Sequence, residues 1–118
     1  MIFNEGWGQF QTEDMTRIVR RLDPNRLIDQ ASGWFDQGGG DFSSLHNYFF
    51  KLFIRPERER ASVFSEFGGY SYREPGHCAK EKLYGYGICK NKKDLEKRFL
   101  ERWQGVRNLI PQGLSASI

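Results

Sequence analysis

Short apolar runs separated by glycine-rich polar stretches alternate with two longer segments of helical periodicity. Met1-Ile2-Phe3 gives way to Asn4-Glu5-Gly6-Trp7-Gly8, the pattern of a buried strand that ends in a loop, so Glu5 is expected at a strand's C-terminal end. From Thr12 onward Met15, Ile18, Val19 and Leu22 share one helical face. Glu13 and Asp14 lie early and Arg17, Arg20 and Arg21 late, which predicts a helix capped by Thr12 and stopped at Asp23-Pro24. Arg26-Leu27-Ile28-Asp29 predicts a second short strand, followed by a turn at Ser32-Gly33-Trp34 and a loop through Gly38-Gly39-Gly40. Ser44 to Tyr48 reads as a third strand, and Ala61 to Glu66 as a fourth that again ends on a carboxylate before Gly68-Gly69. After a long loop from Tyr70 to Gly87, Asp94 begins a second helix with Leu95, Phe99, Leu100, Trp103, Val106 and Leu109 on its apolar stripe, stopped near Pro111. Trp103 is therefore expected to be a packing residue, and Gly113 to Ile118 to begin a last strand.

Strands that alternate with helices imply an α/β class with a parallel sheet. The chain has 118 residues, 38% of them hydrophobic and 15% aromatic, which suits one domain spanning 1–118. Its 18 basic and 15 acidic side chains leave a net charge of +3 that is spread along the chain, apart from Lys90 to Lys93. With no helix-turn-helix, zinc finger or ribonucleoprotein motif, nucleic acid is not an expected partner. No apolar run reaches the ~18 residues of a membrane span, so no membrane partner is expected. Cys78 and Cys89 lie in one loop-rich segment, compatible with a local disulfide but without the spacing of a zinc site.

The chemistry points to the two strand-end glutamates. Retaining glycoside hydrolysis uses two carboxyl groups about 5 to 5.5 Å apart, one nucleophilic and the other first an acid and then a base. Glu5 and Glu66 are distant in sequence, so only a fold that gathers strand ends brings them together, as a parallel barrel does at its C-terminal face. An ordinary surface acid is the alternative for either one. Small neighbours that permit close approach (Gly6, Gly8, Gly68, Gly69) and aromatics able to stack on a sugar (Trp7, Phe67) frame both.

Three segments, in order, carry a resemblance: Asn4-Glu5-Gly6-Trp7-Gly8-Gln9-Phe10; Asp23-Pro24-Asn25-Arg26-Leu27-Ile28-Asp29 with Ala31-Ser32-Gly33-Trp34; and Ser65-Glu66-Phe67-Gly68-Gly69. Together they resemble the catalytic barrel of glycoside hydrolase family 2, which includes β-galactosidases, β-glucuronidases and β-mannosidases, and the similarity runs from Ile2 to Ser117. The resemblance implies a partial (β/α)8 TIM barrel, about strands four to eight with their helices, in which strands one to three and part of the eighth lie outside this chain. It implies Glu5 as acid/base, Glu66 as nucleophile, Asn4 as a hydrogen-bonding partner of the sugar's 2-hydroxyl, and Tyr48 as a hydrogen-bonding partner of the nucleophile. His46 and Asp41 either line the sugar pocket or are structural, and Trp34 is either a stacking wall or a loop anchor. The sequence departs from the family at Ala79, where a tryptophan often follows the Gly76-His77 pair.

The function so implied is retaining, β-galactosidase-like hydrolysis of a β-glycoside, the carbohydrate substrate being the expected partner. The two-carboxylate mechanism needs no cofactor, and no metal-ligand set is read from the sequence. The alternative is a non-catalytic carbohydrate-binding or assembly fragment of such an enzyme. Half a barrel would expose strand edges, which predicts self-association. Such enzymes are often exported, by a signal that would lie upstream of Met1, so the sequence leaves periplasmic, extracellular and cytoplasmic locations open.

Overall fold

A computed structural model describes residues 1–78 and 82–117. Ala79, the point of departure from the family pattern, and Ile118, the predicted end of the last strand, lie outside the described residues. The elements run α1 (Thr12–Leu22), β1 (Phe42–Asn47), β2 (Ala61–Phe67), β3 (Tyr70–Ser71), β4 (Gly87–Ile88), α2 (Lys92–Arg107) and β5 (Leu114–Ser117), with single 3-10 turns at Asn4–Gly6 and Ile110–Gln112. β1, β2 and β5 form a parallel sheet with β2 in the middle, and β3 pairs with β4 in a separate two-stranded ladder.

The expected partial (β/α)8 barrel is therefore corrected: among the described residues there are a three-stranded parallel sheet and only two α-helices, not a succession of alternating strands and helices. Only α2 bridges two strands of that sheet. The crossing from β1 to β2, residues 48–60, has no helix, and its Arg55-Pro56-Glu57-Arg58-Glu59-Arg60 run offers a proline and charges where a crossover helix would need an apolar stripe. The two predicted strands nearest the N-terminus shrink as well. Phe3 makes a single parallel bridge with Ala31, supported by Ile2 N–H to the Asp29 carbonyl and Phe3 N–H to that of Gln30, both 2.9 Å. Arg26–Asp29 is not a strand; the pairing lies just beyond it.

The core sits where β2 meets α2. Phe64, fully buried at the centre of β2, packs with Leu52, Val106, Leu109 and Leu114, and Leu45, Ile54 and Phe67 close around them. α2 starts on Asn91, whose side-chain oxygen accepts from Asp94 N–H at 2.9 Å while the Asp94 carboxylate accepts from Lys90 N–H at 3.0 Å, so two N-terminal donors are satisfied reciprocally. Thr12 is the first residue of α1 and not its cap; Gln11, in the left-handed region, precedes it. The expectation that Trp103 packs is also corrected. It is 44% exposed, and Phe99 and Leu100 on the same helix are exposed too, because only the C-terminal part of α2, through Val106, reaches the sheet. Cys78 and Cys89 are both free thiols.

Two ion clusters tie the loops at the N-terminal end of the sheet. The mostly buried Arg60 guanidinium binds Asp36 at 2.7 Å and Glu57 at 2.6 Å, and Arg20 binds Asp41 at 2.5 Å. The Arg60 hydrogen bonds hold Asp36 and Glu57 below the usual carboxylate range, and Arg20 does the same for Asp41. Carboxylates depressed in the native state contribute stability above their unfolded values, about pH 4, and lose it as pH falls through the native values. Arg60→Gln is thus expected to lower stability at neutral pH and to flatten the decline below about pH 4. Urea unfolding across that range reads this out, and an unchanged acid slope would remove Arg60 from the account.

Candidate active site

The site forms where β1 and β2 end. The two strands run in simple register from Phe42 opposite Ala61 to Leu45 opposite Phe64, and then the register slips so that His46 stands opposite Glu66 and not Ser65. This one-residue bulge brings an imidazole and a carboxylate onto the same face, a common device for re-aiming a side chain beside a site. Just after β1, Tyr48 directs its hydroxyl to Glu66 Oε2. Burial and then the Glu66 carboxylate push the Tyr48 phenol well above its ordinary pKa, so it remains a hydrogen-bond donor at any physiological pH.

Glu5 arrives from a separate segment. Immediately after the Phe3–Ala31 bridge the chain tightens into a 3-10 turn in which Glu5 takes φ 53° and ψ 15°. Its N–H donates to the buried Ser32 Oγ at 2.9 Å. A left-handed glutamate is uncommon, and conformations of this kind concentrate at functional sites, where surrounding contacts hold them. Gly33 completes the seat: at φ +77° it lies against the His46 ring, in space that any Cβ would take from the imidazole.

The result is a compact triad. Glu5 Oε1 lies 3.8 Å from His46 Nδ1, Glu66 Oε1 lies 3.8 Å from His46 Nε2, and one ligand atom from each of the three residues falls within 4.8 Å of the others. The His46 side chain has no exposure, whereas Glu5 is 26% and Glu66 47% exposed, so a buried ring lies beneath two carboxylates open to solvent. Both ring nitrogens lack a hydrogen-bond partner among the described residues.

Aromatic rings wall this arrangement. Trp34 meets His46 edge-on at 5.7 Å and Tyr48 at 6.3 Å, so the tryptophan lies at the site. Tyr86 stacks on Tyr48 at 3.9 Å. On the side of Glu5, Trp7 and Phe35 pack edge-on at 5.2 Å and remain exposed. Asn4 is exposed in the same turn as Glu5.

Asp41 is not part of this cluster. It directly precedes β1, at the opposite end of the sheet, where its carboxylate binds Arg20 and accepts from Ile28 N–H at 2.6 Å. Its role there is to clamp a loop, and its placement in the sugar pocket is corrected accordingly. Two residues the sequence does not single out belong to the site's surroundings. Tyr86 comes from the long loop, with no periodicity to mark it. Arg102 on α2 reaches the Phe50 carbonyl at 2.7 Å and the Tyr48 carbonyl at 2.8 Å, which fixes the backbone that presents the Tyr48 hydroxyl. A cavity of about 420 Å³ lies elsewhere, lined by Lys51, Leu52, Glu101, Arg102, Gly105 and Asn108 among others; it contains no paired carboxylates.

Two carboxylates with separate neighbours, one bonded to a tyrosine hydroxyl and the other free of it, can divide nucleophilic and proton-transfer work between them. Comparison with models of protein families and with curated proteins brings no match to this chain.

Proposed function

We propose that the chain acts as a retaining glycoside hydrolase on a β-linked, β-galactoside-like terminal sugar, with Glu66 as nucleophile and Glu5 as acid/base. The observation that carries the reading is the approach of the Glu5 and Glu66 carboxylates to within 4.8 Å. That spacing falls on the side of direct attack by a carboxylate, since inversion needs about 6.5–9.5 Å to admit a water between the two groups. In the first step Glu66 Oε1 bonds to the anomeric carbon as the glycosidic bond breaks, and Glu5 gives its proton to the departing oxygen. In the second, Glu5 takes a proton from water, the water oxygen bonds to the anomeric carbon, and the ester to Glu66 breaks. The Tyr48 hydroxyl on Oε2 leaves Oε1 free to attack and holds the carboxylate in one orientation. Asn4 lies one residue from the acid/base, in reach of a sugar hydroxyl by the same proposal. Trp34 offers an aromatic wall to the sugar's apolar face.

Incubation with a panel of 2-deoxy-2-fluoro glycosides followed by peptide mass spectrometry tests this reading, because such sugars slow the second step and trap the ester. One added sugar on Glu66, absent from Glu66→Gln, is the expected result. Sugar binding without any covalent adduct in cooperatively folded protein would replace the enzyme with a carbohydrate-binding module.

A further inference from the structure

The position of His46 demands more than two carboxylates acting on a sugar. A fully buried imidazole whose two nitrogens both lack a partner is unusual, since buried polar atoms are nearly always satisfied. Here Nδ1 lies 3.8 Å from Glu5 Oε1 and Nε2 3.8 Å from Glu66 Oε1, both too far for a hydrogen bond; a single ion takes only one ring nitrogen, and one nitrogen with one oxygen of each glutamate forms a donor set whose members all lie within 4.8 Å of one another. Zinc–ligand bonds of about 2.0–2.2 Å place neighbouring ligands of a tetrahedral ion about 3.4 Å apart.

We propose that Glu5, His46 and Glu66 bind a divalent transition cation of the zinc class, and that metal and glycoside exclude each other from the same cleft. The donor set supports that class: one neutral imidazole nitrogen favours zinc-like ions over calcium or magnesium, and two carboxylates balance the +2 charge. Three protein ligands leave a fourth position open to water, as in zinc sites that are not closed structural ones. The ring is the fixed ligand, held between Gly33 and the edge of Trp34. The carboxylates are the adjustable ones. Glu66 keeps Oε1 available because Tyr48 occupies Oε2, and both glutamates are exposed enough to swing inward and shorten the present separation of up to 4.8 Å.

Metal binding stands independently of hydrolysis, whereas the mutual exclusion rests on the glycosidase reading. Chelator-stripped full chain would be titrated with Zn²⁺ by calorimetry and with Co²⁺ by visible absorption, alongside Ca²⁺. One equivalent of Zn²⁺ and a tetrahedral Co²⁺ band are expected, with affinity falling at least about tenfold in each of Glu5→Gln and Glu66→Gln, both changes at carboxylates open to solvent. His46→Gln should abolish the Co²⁺ band; if that variant does not fold, the two glutamine variants still decide. No binding, equal affinity for Ca²⁺, or Zn²⁺ binding unchanged in both glutamate variants would overturn the site. Zn²⁺ should also suppress fluoro-glycoside labelling of Glu66. Metal binding without any labelling would keep the metal site and remove the glycosidase, and labelling without metal binding would do the reverse.

Discussion

Phe64→Ala is expected to lower the free energy of unfolding by about 3–5 kcal/mol. Phe64 is fully buried on the central strand, in one core cluster with Leu52 from the β1–β2 crossing, Val106 and Leu109 from the α2 end, and Leu114 from β5. These neighbours come from three separate parts of the chain, so filling the space left by the ring requires β5 or α2 to move. A loss of this size is a large share of the roughly 5–15 kcal/mol that holds a domain together. Urea unfolding followed by circular dichroism measures it, and a loss below about 1 kcal/mol would show that the β2–α2 contact is not the principal core. The same substitution bears on the site, because Glu66 lies two residues along the same strand. Movement of β2 should therefore weaken Zn²⁺ binding before the protein unfolds.

What the sequence reveals about this protein follows from where local pattern and tertiary contact agree. β2 is legible because Ala61 to Glu66 is compact, apolar and followed by two glycines, and the strand forms over Ala61–Phe67. The α2 helix is legible from its spacing and its stop near Pro111, but not its burial. A stripe of Phe99, Leu100 and Trp103 predicts a covered face, and whether anything covers it depends on elements that periodicity along α2 does not encode. The barrel expectation failed for a related reason. Strand-end carboxylates at Glu5 and Glu66 match a parallel barrel's active face, yet the two ends meet here through one bridge and a three-stranded sheet. Convergence of side chains is a weaker requirement than a closed barrel. His46 was legible as a candidate, but its place between two carboxylates comes from a register slip after Leu45, and nothing in Ser44-Leu45-His46-Asn47 announces a bulge. Asp41 was misplaced because an acidic residue beside a strand carries no mark of which end serves the site; Arg20, far away in sequence, decides it.

Glu5→Ala is expected to reduce turnover of glycosides with poor leaving groups by about 10²–10⁴ while sparing the first step for leaving groups that depart without a proton. The division follows from the proposed roles. Glu5 donates when the glycosidic oxygen leaves, so an aryloxide that is already stable as an anion bypasses that step, but the same residue must then activate water against the ester on Glu66. With an activated aryl glycoside the variant should therefore release one equivalent of phenol per site in a fast burst and then slow, with the sugar retained on Glu66. Glu66→Gln should behave differently, with no burst and no adduct for any leaving group, because the bond to the anomeric carbon cannot form. Stopped-flow phenol release read together with intact mass separates the two carboxylates. A burst in Glu66→Gln, or equal losses for good and poor leaving groups in Glu5→Ala, would assign the roles wrongly. The surroundings of the two carboxylates already differ: the Tyr48 hydroxyl donates to Glu66 Oε2 and fixes its orientation, whereas Glu5 sits in a left-handed turn with no such donor on its carboxylate among the described residues.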